Sequence, residues 1–164
     1  VRLELTSQDI DKYSMVIWLS RLFVGLMNLV APLLGRARVG DVDTDELARR
    51  LDGRDESFVL VDVRSDEEVG VSMIPGAITR DQFAHRRDEL AGKLVIAYCT
   101  VGGRSLLFAQ QCAKDGFEVL NYRGSILEWC AAGRPLVTPD GSPTRRVHTH
   151  SRVFDVPRGY QRVC

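Results

Sequence analysis

The sequence predicts an α/β fold: a three-layer sandwich with a mainly parallel central sheet, extended by an apolar N-terminal helix and an extended C-terminal tail. Three observations lead there. Short β-rich runs alternate with helical stretches through the middle of the chain, the order that parallel strands joined by crossover helices require. The runs at 58–61 and 94–97 are continuously apolar, so their sheet is covered on both faces. An apolar fraction of 45% with 27% charged residues in 164 describes one folded domain with appendages, and excludes a disordered chain or a polytopic membrane protein.

The elements follow in chain order, in three zones: a leader at 1–37, the sandwich domain at 38–137 and a polar, basic tail at 138–164. Within the leader, residues 15–34 contain fifteen apolar residues in twenty. The polar or small breaks at Ser14, Arg21, Gly25, Asn28 and Pro32 recur at helical spacing on one stripe, so the leader is a helix apolar around most of its circumference. In the sandwich zone, Asp43 and Glu46 can form a capping box before a helix at 46–51. A strand follows at 58–63, and Ser65 caps a short helical turn at 66–69. Helices at 82–90 and 105–114 flank a strand at 94–98, and Gly116 stops the second helix before a strand at 118–120.

A sandwich of this kind already covers both faces of its sheet, so the leader lacks a place on its own domain, and its surface implies lipid or a second copy through residues 15–34. Eleven Leu, Ile, Val and Phe residues favour insertion by about 0.3 to 0.6 kcal/mol each, against about 2.5 to 3.5 kcal/mol for a central Arg21. Insertion is marginal on that balance. If the helix spans, Arg36 and Arg38 hold the folded zone in the cytosol, so the expected location is cytoplasmic, with the leader as a membrane or dimer contact. The length of the apolar run and its internal arginine argue against a cleavable signal peptide. The tail carries five arginines against two aspartates and reads as a solvated strap without a core of its own.

Twenty-two basic and twenty-two acidic residues cancel, so no bulk field draws the chain to nucleic acid. Four cysteines without a Cys-x-x-Cys pair and three scattered histidines (His85, His148, His150) suggest reduced thiols, no metal and no cofactor.

Chemistry concentrates at Cys99, which ends a buried strand and leads through Thr100, Val101, Gly102, Gly103, Arg104 and Ser105 into a helix. Ligands bind at the carboxyl ends of parallel strands, and a helix N-terminus offers free N–H groups. Both act on Cys99, and with Arg104 nearby they lower a thiol pKa that is ordinarily about 8.5. Gly102 and Gly103 let successive N–H groups curl inward as an anion-binding nest.

The order and spacing of residues 60–64 with Glu68, residues 74–77, the 99–105 loop, and Gly124 with Trp129, Gly133 and Pro135 resemble the rhodanese family. The resemblance covers about a hundred residues of the middle zone. It implies a rhodanese-like sandwich and a sulfurtransferase in which Cys99 takes a sulfane sulfur from a small donor, such as thiosulfate or a persulfide, and passes it to a thiol or cyanide. It also implies that Asp62 and Arg64 support the loop rather than react. Ser72 and Met73 stand where the family usually has Gly-His, and Val69 where an aromatic residue is common; both read as packing variation. The N–H groups of residues 100–105 and the Arg104 cation are expected to stabilise the anionic persulfide.

Two alternatives accompany this reading. A rhodanese-like phosphatase resembles a Cys-x5-Arg pattern, one residue longer than the spacing from Cys99 to Arg104. A membrane-tethered or dimeric sulfur-carrier module would hold the sulfur with little turnover of its own. Cys112 and Cys130 read as packing residues and His85 as surface, while Cys164 is a resolving thiol only if the tail folds back.

Overall fold

The structure, a computed structural model, describes residues 7–164. Residues 1–6 of the leader, the side chains of 7–14 and that of Val16 lie outside this description, and the Ser14 break lies with them. In chain order the elements are α1 (Ser7–Val30), a 3-10 turn (Ala31–Leu34), β1 (Gly40–Val42), α2 (Thr44–Asp52), β2 (Phe58–Asp62), α3 (Asp66–Val71), β3 (Ile78–Thr79), α4 (Arg80–His85), β4 (Leu94–Tyr98), α5 (Gly103–Lys114), β5 (Val119–Tyr122) and α6 (Ser125–Ala131). The tail adds β6 (Leu136–Val137), β7 (Pro143–Thr144), β8 (Arg146–His148) and β9 (Gln161–Val163).

The five central strands form a fully parallel sheet in the order β1-β5-β4-β2-β3. β4 pairs with β2 along its whole length, Leu94 opposite Phe58 and Tyr98 opposite Asp62. All five residues of β2 are buried, as are four of the five in β4, so the apolar runs sit at the centre of the sheet. Alternate side chains then feed two cores. Leu60, Ile96, Tyr98 and Tyr122 join α2 and α6 on one face, whereas Val59, Val61, Val95 and Ala97 join α4 and α5 on the other. This is the expected three-layer arrangement.

Several sequence expectations change in detail; apart from α4, the bounds of the elements expected in the sandwich zone move by at most two residues. The helix expected over 82–90 is α4, Arg80–His85, followed by turns. A reciprocal capping box between Thr79 and Gln82 starts it two residues early, and the chain then turns so that buried Leu90 leads into β4. The edge strands β1 and β3 are three and two residues long, too short to show a period of two.

The leader has a place on its own domain after all. Val24 and Ala31 are buried and Met27 packs against the core under α5. Arg21 donates to Glu128 at 3.1 Å, and the Asn28 side chain bonds both the N–H and the carbonyl of Val39. Two of the breaks in the apolar pattern, Arg21 and Asn28, are therefore the polar part of a docked face.

The tail is likewise more than a solvated strap. β6 and β7 form a hairpin, β8 and β9 pair in parallel, and buried Val147 and Tyr160 enter the core shared with Leu60, Ile74 and Trp129. Val147 and Tyr160 are separated by twelve residues, apolar and polar mixed irregularly, which carries no periodic signal and kept this core contribution invisible in the sequence.

Candidate functional site

Cys99 is the first residue past β4, and its thiol is 1% exposed. The chain turns sharply just beyond it. Gly102 adopts φ 94°, and a Cβ there would lie 2.3 Å from the Arg123 carbonyl oxygen, so only glycine permits this turn. The turn aims the Gly102 N–H at the Cys99 sulfur, 3.2 Å away.

Two neighbouring elements lock the loop from below. The Ser125 Oγ accepts the Cys99 N–H at 3.0 Å and donates to the Tyr122 carbonyl at 2.9 Å. The N–H groups of Ile126 and Leu127, in the first turn of α6, donate to the carbonyls of Cys99 and Thr100. Ser105 donates to Asn121 Oδ1 at 2.7 Å, and the Asn121 amide nitrogen lies 3.4 Å from the Gly102 carbonyl. The hydroxyls of Ser105 and Ser125 also lie 3.7 and 3.9 Å from the sulfur, and each shares its single hydrogen between the sulfur and a nearer oxygen acceptor. Backbone N–H groups are therefore the principal donors to the sulfur.

Electrostatics follow from this geometry. Burial is the largest influence on Cys99 and favours the neutral thiol. The N–H and hydroxyl of Ser105, the positive charge of Arg104 and the N–H of Val101 together outweigh it, holding the pKa below that of an ordinary thiol. The other buried thiols shift the opposite way: desolvation pushes Cys112 up to about 11 and Cys130 up to about 12. One cysteine of the buried three is thus set apart by a lowered pKa.

Arg104 was expected to serve the loop directly as its cation. Its guanidinium instead donates to both oxygens of Glu68 at 2.7 Å, and to Thr100 Oγ1 at 2.8 Å, so it acts on Cys99 only through space. It is not held over the nest as a phosphate-binding arginine would be. Glu68 is the hub that sequence reasoning left without a role. Its buried carboxylate also accepts from the N–H and hydroxyl of Ser65 and from Thr100 Oγ1. Desolvation opposes its charge, yet Arg104, Ser65 and Thr100 lower its pKa to about 2. The available signal was the capping pattern of Ser65 and Glu68, which shows that Glu68 points back toward its own helix N-terminus.

Asp62 and Arg64 form a fully buried ion pair at 2.6 Å. They touch the Tyr98 hydroxyl and the Ser72 carbonyl rather than the loop. Tyr98 donates to Asp62 at 2.6 Å and accepts the Ile74 N–H, so the pair fixes the residue immediately before Cys99. Ser72, Met73 and Val69 are all buried here, and Met73 pairs with Val137 across an antiparallel bridge. His85 is exposed and bonded to the Asp81 carbonyl. Exposed Cys164 lies 3.0 Å from Thr149 Oγ1. The tail does fold back: His150 Nδ1 comes within 3.7 Å of Glu68.

Comparison with known proteins places this geometry in a family. A family model for the rhodanese-like domain matches residues 43–132. A sulfurtransferase of Allochromatium vinosum is 34% identical over 107 residues, covering 63% of this chain and 99% of that protein. A tRNA sulfurtransferase of Desulfurococcus amylolyticus is 32% identical over 115 residues, covering 64% of this chain and 23% of that protein. Among solved structures, a thiosulfate sulfurtransferase from Pseudomonas aeruginosa superposes with a TM-score of 0.57 at 25% identity, covering 75% of this chain and 23% of that one. The chain therefore spans nearly all of the first relative and about a quarter of the other two. A match to more than half of the chain, centred on the sheet and the Cys99 loop, shows that the protein belongs to the rhodanese-like domain family.

Proposed function

We propose that the protein is a sulfurtransferase that carries a sulfane sulfur on Cys99. The observation that carries this reading is a buried thiol with a lowered pKa that faces the Gly102 N–H, with the N–H groups of Val101 and Ser105 also directed to it. The sulfurtransferase relatives support it.

In the first half-reaction the Cys99 thiolate attacks the outer sulfur of a donor such as a persulfide. A new S–S bond forms, the donor's own bond to that sulfur breaks, and the donor leaves with the electron pair as a thiolate. The same attack on thiosulfate releases sulfite. The negative charge now rests on the terminal sulfur, where backbone N–H donors stabilise it without reorganising. In the second half-reaction an acceptor thiolate or cyanide attacks that terminal sulfur, and Cys99 departs as the thiolate with which it began. Cys99 enters and leaves the cycle as the thiolate, so neither step transfers a proton, and its lowered pKa raises the fraction of protein that starts ionised.

A second reading, the sulfur carrier with little turnover of its own, draws on Arg104. Its engagement with Glu68 and Thr100 leaves the loop to attract a dianionic donor through amides and a cation offset by a carboxylate, which favours a monoanionic persulfide over thiosulfate. One experiment tests both. The purified protein is exposed to thiosulfate or to a small persulfide, and each cysteine is mapped by mass spectrometry while thiocyanate formation from cyanide is followed. Sulfurtransferase function predicts a gain of one sulfur atom at Cys99 with turnover. Loading without turnover supports the carrier. Loading or turnover that survives Cys99→Ser overturns the assignment.

A further inference from the structure

Helix α1 has two apolar faces, and its own domain covers only one. The docked face holds Val24, Met27 and Ala31, with Arg21 paired to Glu128 and Asn28 tied to the Val39 backbone. On the opposite face Met15, Leu19, Leu22, Leu26 and Leu29, continued by Leu33 in the 3-10 turn, follow one another at spacings of four, three, four, three and four, and all are between 49% and 87% exposed. Trp18 and Phe23 flank this seam and are also exposed.

We propose that the seam pairs with the same seam on a second copy of the chain, forming an isologous dimer through α1. Within α1, from Met15 to Leu29, the spacing averages 3.5 residues, the period at which a stripe on one helix stays against a partner helix. Eight large apolar side chains, mostly half-exposed or more, offer an area of the order of the ~800 Å² per partner that a standard interface buries. A formal net charge of zero sets no bulk repulsion between two copies.

Lipid fits the same surface less well. Residues 17–34 are long and apolar enough to cross a membrane, but a spanning helix would have to give up the ion pair to Glu128 and the burial of Val24 and Ala31, since these hold it along the side of the domain. An in-plane helix relies on basic residues along its polar face. Here, among the described residues, that face is the docked one. Its Arg21 is engaged by Glu128, and exposed Arg36 and Arg38 lie only beyond its end.

The test uses the full chain. Light scattering coupled to size exclusion, over a range of protein concentrations, should give twice the 18.3 kDa chain mass for the parent and a single chain mass for Leu22→Glu/Leu26→Glu. Circular dichroism checks that the variant stays folded; both positions are exposed, and Leu22→Gln/Leu26→Gln serves as a milder pair. The same samples are sedimented with vesicles of phosphatidylcholine and phosphatidylglycerol. A monomeric parent at every concentration overturns the proposal, as does a polydisperse aggregate or a dimer that survives both variants. Vesicle binding by a monomeric parent does so as well, and assigns the seam to lipid.

Discussion

At the scale of single residues, the chemistry rests on one hydroxyl group and the amides around it. Ser105 helps lower the Cys99 pKa through its N–H and its hydroxyl together. Ser105→Ala keeps the N–H and removes the hydroxyl, which also frees the Asn121 Oδ1 acceptor. The pH midpoint for alkylation of Cys99, read peptide by peptide, should lie below the ordinary thiol range in the parent and move upward in Ser105→Ala. Cys112 and Cys130, held at about 11 and about 12 by burial, should stay unmodified at pH 7 to 8 in both proteins. A Cys99 midpoint that is unchanged in Ser105→Ala would show that the amides alone set the ionisation. Much of this was legible in the sequence: a cysteine after an apolar run, followed by two glycines and an arginine, announces a nest. The partners of Arg104 were not, because Glu68 lies thirty-six residues away, and a pairing over that distance is decided by how α3 and α5 pack rather than by any local pattern.

At the scale of elements, Glu68 joins α3, the 99–105 loop and α5 through one carboxylate. Its pKa is about 2 against a reference of 4.5. A depressed carboxylate stabilises the fold fully above its unfolded pKa and loses that contribution as it is protonated, so the loss falls between pH 4.5 and 2. Urea unfolding across that window should show stability falling by about 2 kcal/mol from this group, after discounting for solvent that reaches Arg104. Glu68→Gln should flatten that part of the pH dependence and lower stability near pH 7 by a similar amount. An unaltered slope would place the acid sensitivity elsewhere. Gly102 gives a second test at this scale. Its φ of 94° and the 2.3 Å approach of a Cβ to the Arg123 carbonyl mean that Gly102→Ala must move backbone. Sulfur loading of Cys99 should fall at least tenfold in that variant, whereas Gly103→Ala, which meets nothing within 4 Å, should retain it. Caps and strand runs at this level were readable because each is a short-range device. The edge strands were not, since β1 and β3 owe their pairing to β5 and β2 rather than to their own two or three residues.

At the scale of the whole molecule, the tail determines whether the domain ends at 137 or continues to the end of the described chain. A solvated strap would tolerate substitution with changes within about 0.5 kcal/mol. Tyr160, however, is 8% exposed and its ring packs in the shared core under the Arg145 guanidinium, 5.0 Å from the ring centroid, while its hydroxyl donates to the Arg134 carbonyl. Val147, fully buried on β8, lies in the same cluster, and β8 packs against α3, the helix that carries Glu68. Tyr160→Ala should therefore destabilise the domain by about 3 kcal/mol in urea unfolding, the range for losing a buried aromatic side chain. Val153→Ala, 73% exposed in the same loop, should stay within the range of an ordinary surface change. Because the tail braces α3, the loss should also reach the site: Tyr160→Ala should broaden the pH range over which Cys99 alkylates, as Glu68 is held less firmly against Thr100 and Arg104. Equal, small effects for both tail variants would return the tail to the role of a strap and leave the sandwich to stand on its own core.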